Sequence, residues 1–460
     1  METRQIEFTN WSRQYKSSPA VYAIPESAED LQEIIRNKEK FPSPVVAIGS
    51  GHSNSGCNVV NGGTAVYMKK FLSLPEPKGN EITVGAGRQL YEIHRFLSAR
   101  KMQLPFTPEI GNATIGSVAC CCLKDAAIGQ SSGIATGMIK GIRFIDAAGN
   151  NRSMQRGDAG WELMTSGHGL FCIIYEVTLD VLPMKLVIQN YVSSHVHDKN
   201  WEATYRKTLA DNDGIFGLVN ATTGKFIFET RNFSTKEETP GFIENIYNKL
   251  DQNVFKYFNP IMGAVETNWW SGNVRKVAMA GFGFMKISFR KGRRTFKNLK
   301  PIDYSYKYKW RWDFHFWAYP TSTFPTVVLP AFMEFLKKYK SDHPRFDEKG
   351  LMACYRIRVE KKALLSPSFD EERMTLDPLR PVTTNEQLMK DWDEFCFAYN
   401  EFAVQHGGKC TFNQTKVLSK LQVEKAFGDK WEQFKKGREQ ADPENRLLSN
   451  YFRTLMYDHQ

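Results

Sequence analysis

His52 is the residue in this chain most plainly placed to do chemistry. It stands inside Ile48-Gly49-Ser50-Gly51-His52-Ser53-Asn54, directly after the apolar run Val45-Val46-Ala47-Ile48. Two glycines and two serines around an imidazole make a turn whose backbone N–H groups can face a phosphate, and glycine permits close approach. The ring itself can then reach a bound cofactor. Other loop chemistries fail on spacing. A dinucleotide fingerprint needs a third glycine where Asn54 stands, and a P-loop needs a closing Gly-Lys-Ser/Thr that is absent. A nucleophile elbow needs Gly-x-Ser-x-Gly, but Ser53 is followed two residues on by Ser55.

The elements that must position this loop are legible around it. The Val45–Ile48 run reads as a short buried strand. Ser27 caps an amphipathic helix through Leu31, Ile34 and Ile35. Glu81-Ile82-Thr83-Val84-Gly85-Ala86-Gly87 reads as a strand into a turn, and Leu90, Ile93, His94 and Leu97 then recur at helical spacing. Gly141–Asp146 and Asn151–Met154 flank Ala-Ala-Gly-Asn, a hairpin signal. Leu182-Pro183 closes this α+β region, and from about residue 186 aromatic residues become dense: Trp269-Trp270, then Trp310, Trp312, Phe314, Phe316 and Trp317. Most of these are expected to form a core beneath a sheet, and some to line a pocket. Phe332, Phe335 and Leu336 share a helix face after Pro330.

The composition narrows the class. At 460 residues the chain exceeds one ordinary core and suits two domains. Hydrophobic content of 42% and charged content of 24% are those of a globular protein. There is no eighteen-residue apolar run and no apolar signal core after Met1, so a cytoplasmic enzyme is expected. Eight cysteines without regular spacing suggest reduced thiols, and Cys120, Cys121 and Cys122 are expected to pack as small apolar residues. No Cys-x-x-Cys or His-Glu-x-x-His occurs, so no metal is expected. The net charge of +11 is scattered. Its densest run, Arg290-Lys291-Gly292-Arg293-Arg294 with Lys297 and Lys300, reads as a solvated loop, not a nucleic-acid site.

Three segments in order resemble the vanillyl-alcohol-oxidase flavoproteins, with their PCMH-type FAD-binding domain. They are the loop from Ile48 to Asn54 with Asn58-Val59-Val60-Asn61-Gly62-Gly63; Gly111-Asn112-Ala113-Thr114-Ile115-Gly116-Ser117-Val118-Ala119; and Ser166-Gly167-His168-Gly169-Leu170-Phe171-Cys172-Ile173-Ile174 running into Glu176–Leu179. The resemblance implies a two-domain α+β fold and FAD bound covalently through the 8α-methyl to His52. It implies cofactor contacts from Ile48, Gly49, Ser50, Gly51, Ser53 and Asn54, from Pro108, Gly111, Asn112, Thr114, Ile115, Gly116, Ser117 and Ala119, from Cys172 and Ile173, and from Asn450 in the tail. The plain alternative for His52 is a loop histidine capping a turn. Relatives with a second, cysteinyl link would carry it where Asn112 stands, so one link is expected. Pro108 falls where the family controls oxygen access to the flavin, which implies O2 as acceptor and hydrogen peroxide as product.

The later chain resembles the aldonolactone-oxidase branch, through Leu364-Leu365-Ser366-Pro367 and a tail from Phe427 through Trp431, Phe434, Arg438, Asp442-Pro443, Asn450 and Tyr451. The implied organisation is an FAD-binding domain over 1–185, a substrate (cap) domain on an antiparallel sheet over 186–415, and a C-terminal segment over 416–460 returning to the first domain. Two departures matter. The branch's Glu-x-Arg pair is here Cys354 and Arg356, and its His-Trp-x-Lys after Gly407-Gly408 is replaced by Lys409-Cys410-Thr411-Phe412-Asn413-Gln414. These replacements imply a less polar substrate than a sugar lactone. Arg356 is the candidate for stabilising negative charge, its alternative being an ion pair within the sheet. Arg358 shares its strand face. Tyr355 and Tyr306 are candidate proton acceptors, and Gln414 and Asn413 are candidate pocket residues. The expected activity is an FAD-dependent oxidase of an alcohol, hydroxy acid or lactone-like substrate. The alternatives are an oxidative cyclase or dehydrogenase of a bulky aromatic metabolite, or a non-catalytic binding protein on the same fold.

Overall fold

The structure, a computed structural model, describes residues 1–234, 294–296, 301–304, 311–346, 350–383 and 385–457, with the helical positions 242 and 246. Trp269, Trp270, Arg290, Lys291, Arg293, Lys297, Lys300, Tyr306 and Trp310 lie outside the described residues.

Two four-stranded sheets occupy the first 180 residues. In the first the spatial order is Glu2–Arg4, Val21–Ile24, Thr64–Tyr67, Val45–Ile48, and the last three strands run parallel. Parallel strands covered on both faces read as continuous apolar runs, which is why Val45-Val46-Ala47-Ile48 shows no alternation. The helix Ala28–Arg36 buries Leu31, Ile34 and Ile35, and the Ser27 side chain accepts the Asp30 N–H at its start. The second sheet is antiparallel, in the order Asn151–Gln155, Ile139–Asp146, Cys172–Asp180, Glu81–Gly85. The hairpin turns at Gly149, whose φ of 81° lies in the region that favours glycine. The helix Leu90–Ser98 buries Leu90, Ile93, His94 and Leu97 on one face.

A nine-stranded sheet follows, drawn from residues 187–381. Its main path is Arg294–Phe296, Val187–His195, Lys225–Phe233, Gly214–Asn220, Leu351–Ile357, Arg373–Thr375, Ala318–Pro320; Asp377–Pro381 also pairs with Leu351–Ile357 and carries Trp312–Phe314. All the pairings are antiparallel. Alternation sorts the side chains. Ile215, Val219, Met352 and Cys354 join the main core with the helices Trp201–Asp211 and Leu329–Asp342. Phe216, Leu218, Ala353 and Tyr355 form a separate cluster with Ala126 on the opposite face. The molecule is thus α+β throughout.

The end of the chain is woven into its beginning. Arg446 donates to the carbonyls of Ile34 (2.6 Å) and Ile35 (3.0 Å), and Val45 N donates to Arg446 O (2.8 Å). Buried Trp431 stacks on Phe434 and on Phe412. Among the described residues no helix is long and apolar enough to cross a membrane.

Candidate functional site

A cleft opens beside the first of these sheets. One wall is residues 46–53, the C-terminal end of Val45–Ile48 and the loop after it. The other walls come from the helix Ile115–Cys120, from Ala86 just past the strand Glu81–Gly85, from Cys172 and Ile174 of the second sheet, from His168, and from Asn413 and Gln414.

The loop is built to press against that helix. A Cβ on Gly49 would lie 2.1 Å from Thr114 Oγ1 and 2.9 Å from Ser117 Oγ, so only glycine fits there. Gly51 has a φ of 65°, again the glycine region. Ser50 Oγ donates to the Asn112 carbonyl, binding the loop to the Gly111–Ala119 segment.

His52 lines the cleft with both ring nitrogens engaged: Nδ1 lies 3.1 Å from Ser50 Oγ and Nε2 lies 3.1 Å from the Tyr304 carbonyl. Its ring stacks on Trp11 at 5.6 Å, and the Trp11 backbone donates to Gly51 O. Burial pushes the His52 imidazole down to about 4, so it is neutral at physiological pH. A carbonyl can only accept, so in the neutral ring Nε2–H donates to Tyr304 and Nδ1 keeps the lone pair, with the single Ser50 hydroxyl proton serving either Nδ1 or the Asn112 carbonyl.

The other residues singled out in the sequence divide clearly. Ile48, Gly49, Ser50, Gly51, Ser53, Thr114, Gly116, Ser117, Cys172 and Gln414 line the cleft with His52. Asn54, Pro108, Gly111, Asn112, Ile115, Ala119 and Ile173 do not. Asn54 instead supports the loop, its N–H donating to Asn413 O at 2.8 Å. Ile173 points into the core shared with Ile34, Ile35 and Val45. Asn450, the first residue of the helix Asn450–Met456, is exposed and away from the cleft.

Arg356 and Arg358 stand apart from the cleft. The Arg356 guanidinium donates to Leu209 O (2.6 Å) and Asn212 O (2.7 Å), at the end of the helix Trp201–Asp211, and to Glu372 (2.9 Å). Arg358 donates to Gly129 O and to Asp213 (3.2 Å). The reason is strand alternation: Arg356 shares its face with Cys354, the helix-covered side, whereas Tyr355 points the other way. There the Tyr355 hydroxyl donates to Glu109 Oε2 at 2.7 Å.

Sequence reasoning also passed over parts of the wall. His168 lines the cleft at a φ of 49°, with Nδ1 unpaired and its imidazole pushed down to about 3 by burial. Its flanking glycines, Gly167 and Gly169, were the available signal. Cys57, Cys120 and Cys121 also line the cleft, so two of the three consecutive cysteines are wall residues and only Cys122 is fully buried. Burial raises the Cys57 and Cys172 thiols, which keeps them protonated.

Whether these residues fit a flavin dinucleotide can be judged from their polar atoms. His168 Nδ1, Asn413 Oδ1 and Gln414 Oε1 are buried at the cleft without hydrogen-bond partners, which leaves them open to a bound group. A cradle that admits only glycine at position 49 and these unpaired polar atoms fit the group.

The comparisons agree. Residues 19–154 match the family model described as FAD binding domain. D-arabinono-1,4-lactone oxidase of Saccharomyces cerevisiae is 28% identical over 116 residues, which is 24% of this chain and 22% of that enzyme, so the match spans under a quarter of the relative's length. L-gulonolactone oxidase of Mus musculus is 21% identical over 468 residues, 98% of each chain. Among solved structures, cholesterol oxidase from Brevibacterium sterolicum superposes with a TM-score of 0.71 at 13% identity, covering 99% of this chain and 97% of that one. Residues 19–154 are therefore an FAD binding domain, carried in a chain with the overall fold of the PCMH-type FAD-binding flavoenzymes.

Proposed function

We propose that this protein is an FAD-dependent oxidase that acts on a carbon bearing oxygen, in an alcohol, hydroxy acid or lactone-like substrate, with O2 as acceptor and hydrogen peroxide as product. The observation that carries the reading is the placement of a neutral, clamped His52 in the wall of a cleft belonging to an FAD binding domain. FAD, when bound, supplies the two-electron acceptor. The loop Gly49–Ser53 and the start of the helix Ile115–Cys120 would hold it, with His168, Asn413 and Gln414 offering polar atoms.

His52 is read as the covalent attachment point, through Nδ1, because the Tyr304 carbonyl commits Nε2 to carrying the proton. Oxygen access beside Pro108 belongs to the same reading, as does the division into 1–185, 186–415 and 416–460. The named relatives act on sugar lactones and a sterol. A less polar substrate than a sugar lactone is favoured here by what replaces the lactone-type motif. Lys409 turns away to donate to the Ala426 carbonyl, Cys410 is buried, and Phe412 stacks on Trp431, leaving the amides of Asn413 and Gln414 at the cleft.

The test is acid precipitation of the purified protein beside His52→Ala, with visible spectra of pellet and supernatant. Yellow colour retained in the wild-type pellet and released from the variant supports the histidyl link. Colour released from both means a dissociable flavin. A colourless protein that FAD cannot reconstitute would overturn the flavoenzyme reading.

A further inference from the structure

The walls of the cleft carry no charge of their own. Among the described residues no lysine, arginine, aspartate or glutamate lines it, although the chain as a whole has a net charge of +11. Cations next to the wall in sequence turn elsewhere. Lys124, after Leu123, pairs with Asp377 at 2.6 Å, and Lys69, after Met68, lies over the Tyr67 ring at 5.3 Å. FAD carries a doubly anionic diphosphate. Enclosing such a charge against neutral walls is costly unless a partner is supplied.

Two wall residues can become cations, His52 and His168. His52 is held by the Tyr304 carbonyl at 3.1 Å and stacks on Trp11. His168 Nδ1 has no hydrogen-bond partner among the described residues. The fold holds this ring in place all the same. The His168 N–H donates to Cys120 O at 3.0 Å, and its φ of 49° is a strained value for a residue with a side chain. Cys120 stands one turn, about 4.5 Å along the helix axis, from Ser117, against which Gly49 of the histidine loop presses. On its other side the ring meets Phe412 at 5.2 Å and Phe452 at 5.5 Å. Phe412 O accepts from the Ser55 hydroxyl, and Asn413 O accepts the Asn54 N–H at 2.8 Å. His168 is thus joined to both flanks of the loop read as the phosphate cradle.

The elements packed on His168 bring it no charge. The helix Ile115–Cys120 offers Cys120, the 412–414 segment a phenyl ring and neutral amides, and the helix Asn450–Met456 the Phe452 ring. Burial alone depresses the imidazole, and an anion beside it works in the opposite direction.

We infer that His168 balances the charge of the bound cofactor: its imidazole takes one proton from solvent as FAD enters the cleft and then, as an imidazolium, donates to the diphosphate oxygens. The inference rests on the FAD reading of the cleft. No bond of FAD is made or broken in this step. One N–H bond forms on the ring, with a proton given up by water or buffer.

The test counts protons. Flavin-free, full-length protein is titrated calorimetrically at about pH 6 in Bis-Tris and in MES, whose different ionisation enthalpies report protons exchanged with the buffer. The probe is 8-demethyl-FAD, which lacks the methyl group needed for a histidyl bond and so binds reversibly. The control is 8-demethylriboflavin, which has no phosphate. Wild type should take up about one proton per dinucleotide, and its affinity should weaken about tenfold per unit as the pH rises from about 5 to about 6.5. His168→Gln, whose side chain is polar but cannot be charged, should take up none, and neither should wild type with the control. In the flavin-loaded protein, nitrogen NMR of labelled histidine at the same pH should show an imidazolium signal that is missing from His168→Gln. No proton uptake by wild type, uptake that survives in His168→Gln, or a neutral His168 in the loaded protein overturns this inference and leaves the flavoenzyme reading standing. A wild type that takes up neither FAD nor its analogue overturns that reading, and this inference with it.

Discussion

The side-chain oxygen of Asn112 accepts the backbone N–H of Tyr304, a residue 192 positions away, and the Tyr304 carbonyl in turn lies 3.1 Å from His52 Nε2. Asn112 also donates to Asp303 at 3.0 Å, and its own carbonyl accepts from Ser50. One amide side chain thereby fixes the group that sets the tautomer of the proposed flavin-bearing histidine.

Asn112→Ala should leave the buried Tyr304 N–H without its partner, costing about 1–3 kcal/mol of stability. It should also slow flavin attachment, because the Tyr304 carbonyl is no longer held against the imidazole. Denaturant melts give the first quantity, and the time course of acid-stable yellow colour after adding FAD to flavin-free protein gives the second. Attachment at the wild-type rate would show that Tyr304 does not orient His52.

Gly49→Ala should drive a methyl group into Thr114 Oγ1 and push the loop off the helix. Overpacking of this kind costs about 1–3 kcal/mol, and FAD content should fall with it. The double variant Gly49→Ala with Thr114→Ala removes the nearest clash and should recover part of both losses. No recovery would place the strain elsewhere.

Arg356→Ala should behave as a stability variant. It strips donors from the Leu209 and Asn212 carbonyls and the partner from Glu372, with an expected loss of about 3 kcal/mol. Flavin content per folded molecule should be unchanged. An Arg356→Ala protein that melts like wild type but loses its flavin spectrum would return this arginine to the cofactor site.

Acid stability should depend on His315. Its Nε2 lies 2.8 Å from Asn400 Oδ1 and its Nδ1 accepts the Lys416 N–H at 3.2 Å, an arrangement only the neutral ring satisfies. Burial pushes it down to about 3. The unfolded chain takes up this proton near pH 6.5 and the folded chain does not, so the contribution is present above about pH 6.5 and lost as pH falls toward 3. The expected slope is about 1.4 kcal/mol per pH unit for one proton. His315→Asn should flatten urea-unfolding stability against pH by that amount, and parallel curves for the two proteins would refute it.

What could be read from the sequence was local. The strand Val45–Ile48, the Ser27-capped helix and the hairpin about Gly149 follow from apolar spacing, a capping side chain and a glycine turn, all within a few residues of one another. The His52 loop was legible because its glycines are required where they stand. The surroundings of Arg356 and Tyr355 were not. Position relative to Leu364-Leu365-Ser366-Pro367 identifies a residue but not the face of the strand it occupies. That face is set by pairing with Gly214–Asn220, in which Phe216 stands opposite Tyr355. Trp11 on His52 and Glu109 between two tyrosines are likewise products of long-range packing, with no local pattern to announce them.

The cleft wall joins residues 46–53 to Asn413 and Gln414, and the strand behind it is bonded to Arg446. A ribosome releases the first part of that wall long before the last. The binding site is consequently complete only once residues 413–446 have been made, so the nascent chain must wait, with its histidine loop made and its far wall missing, before a cofactor can be enclosed. Assembly order, and not affinity alone, then sets when this protein can acquire its colour.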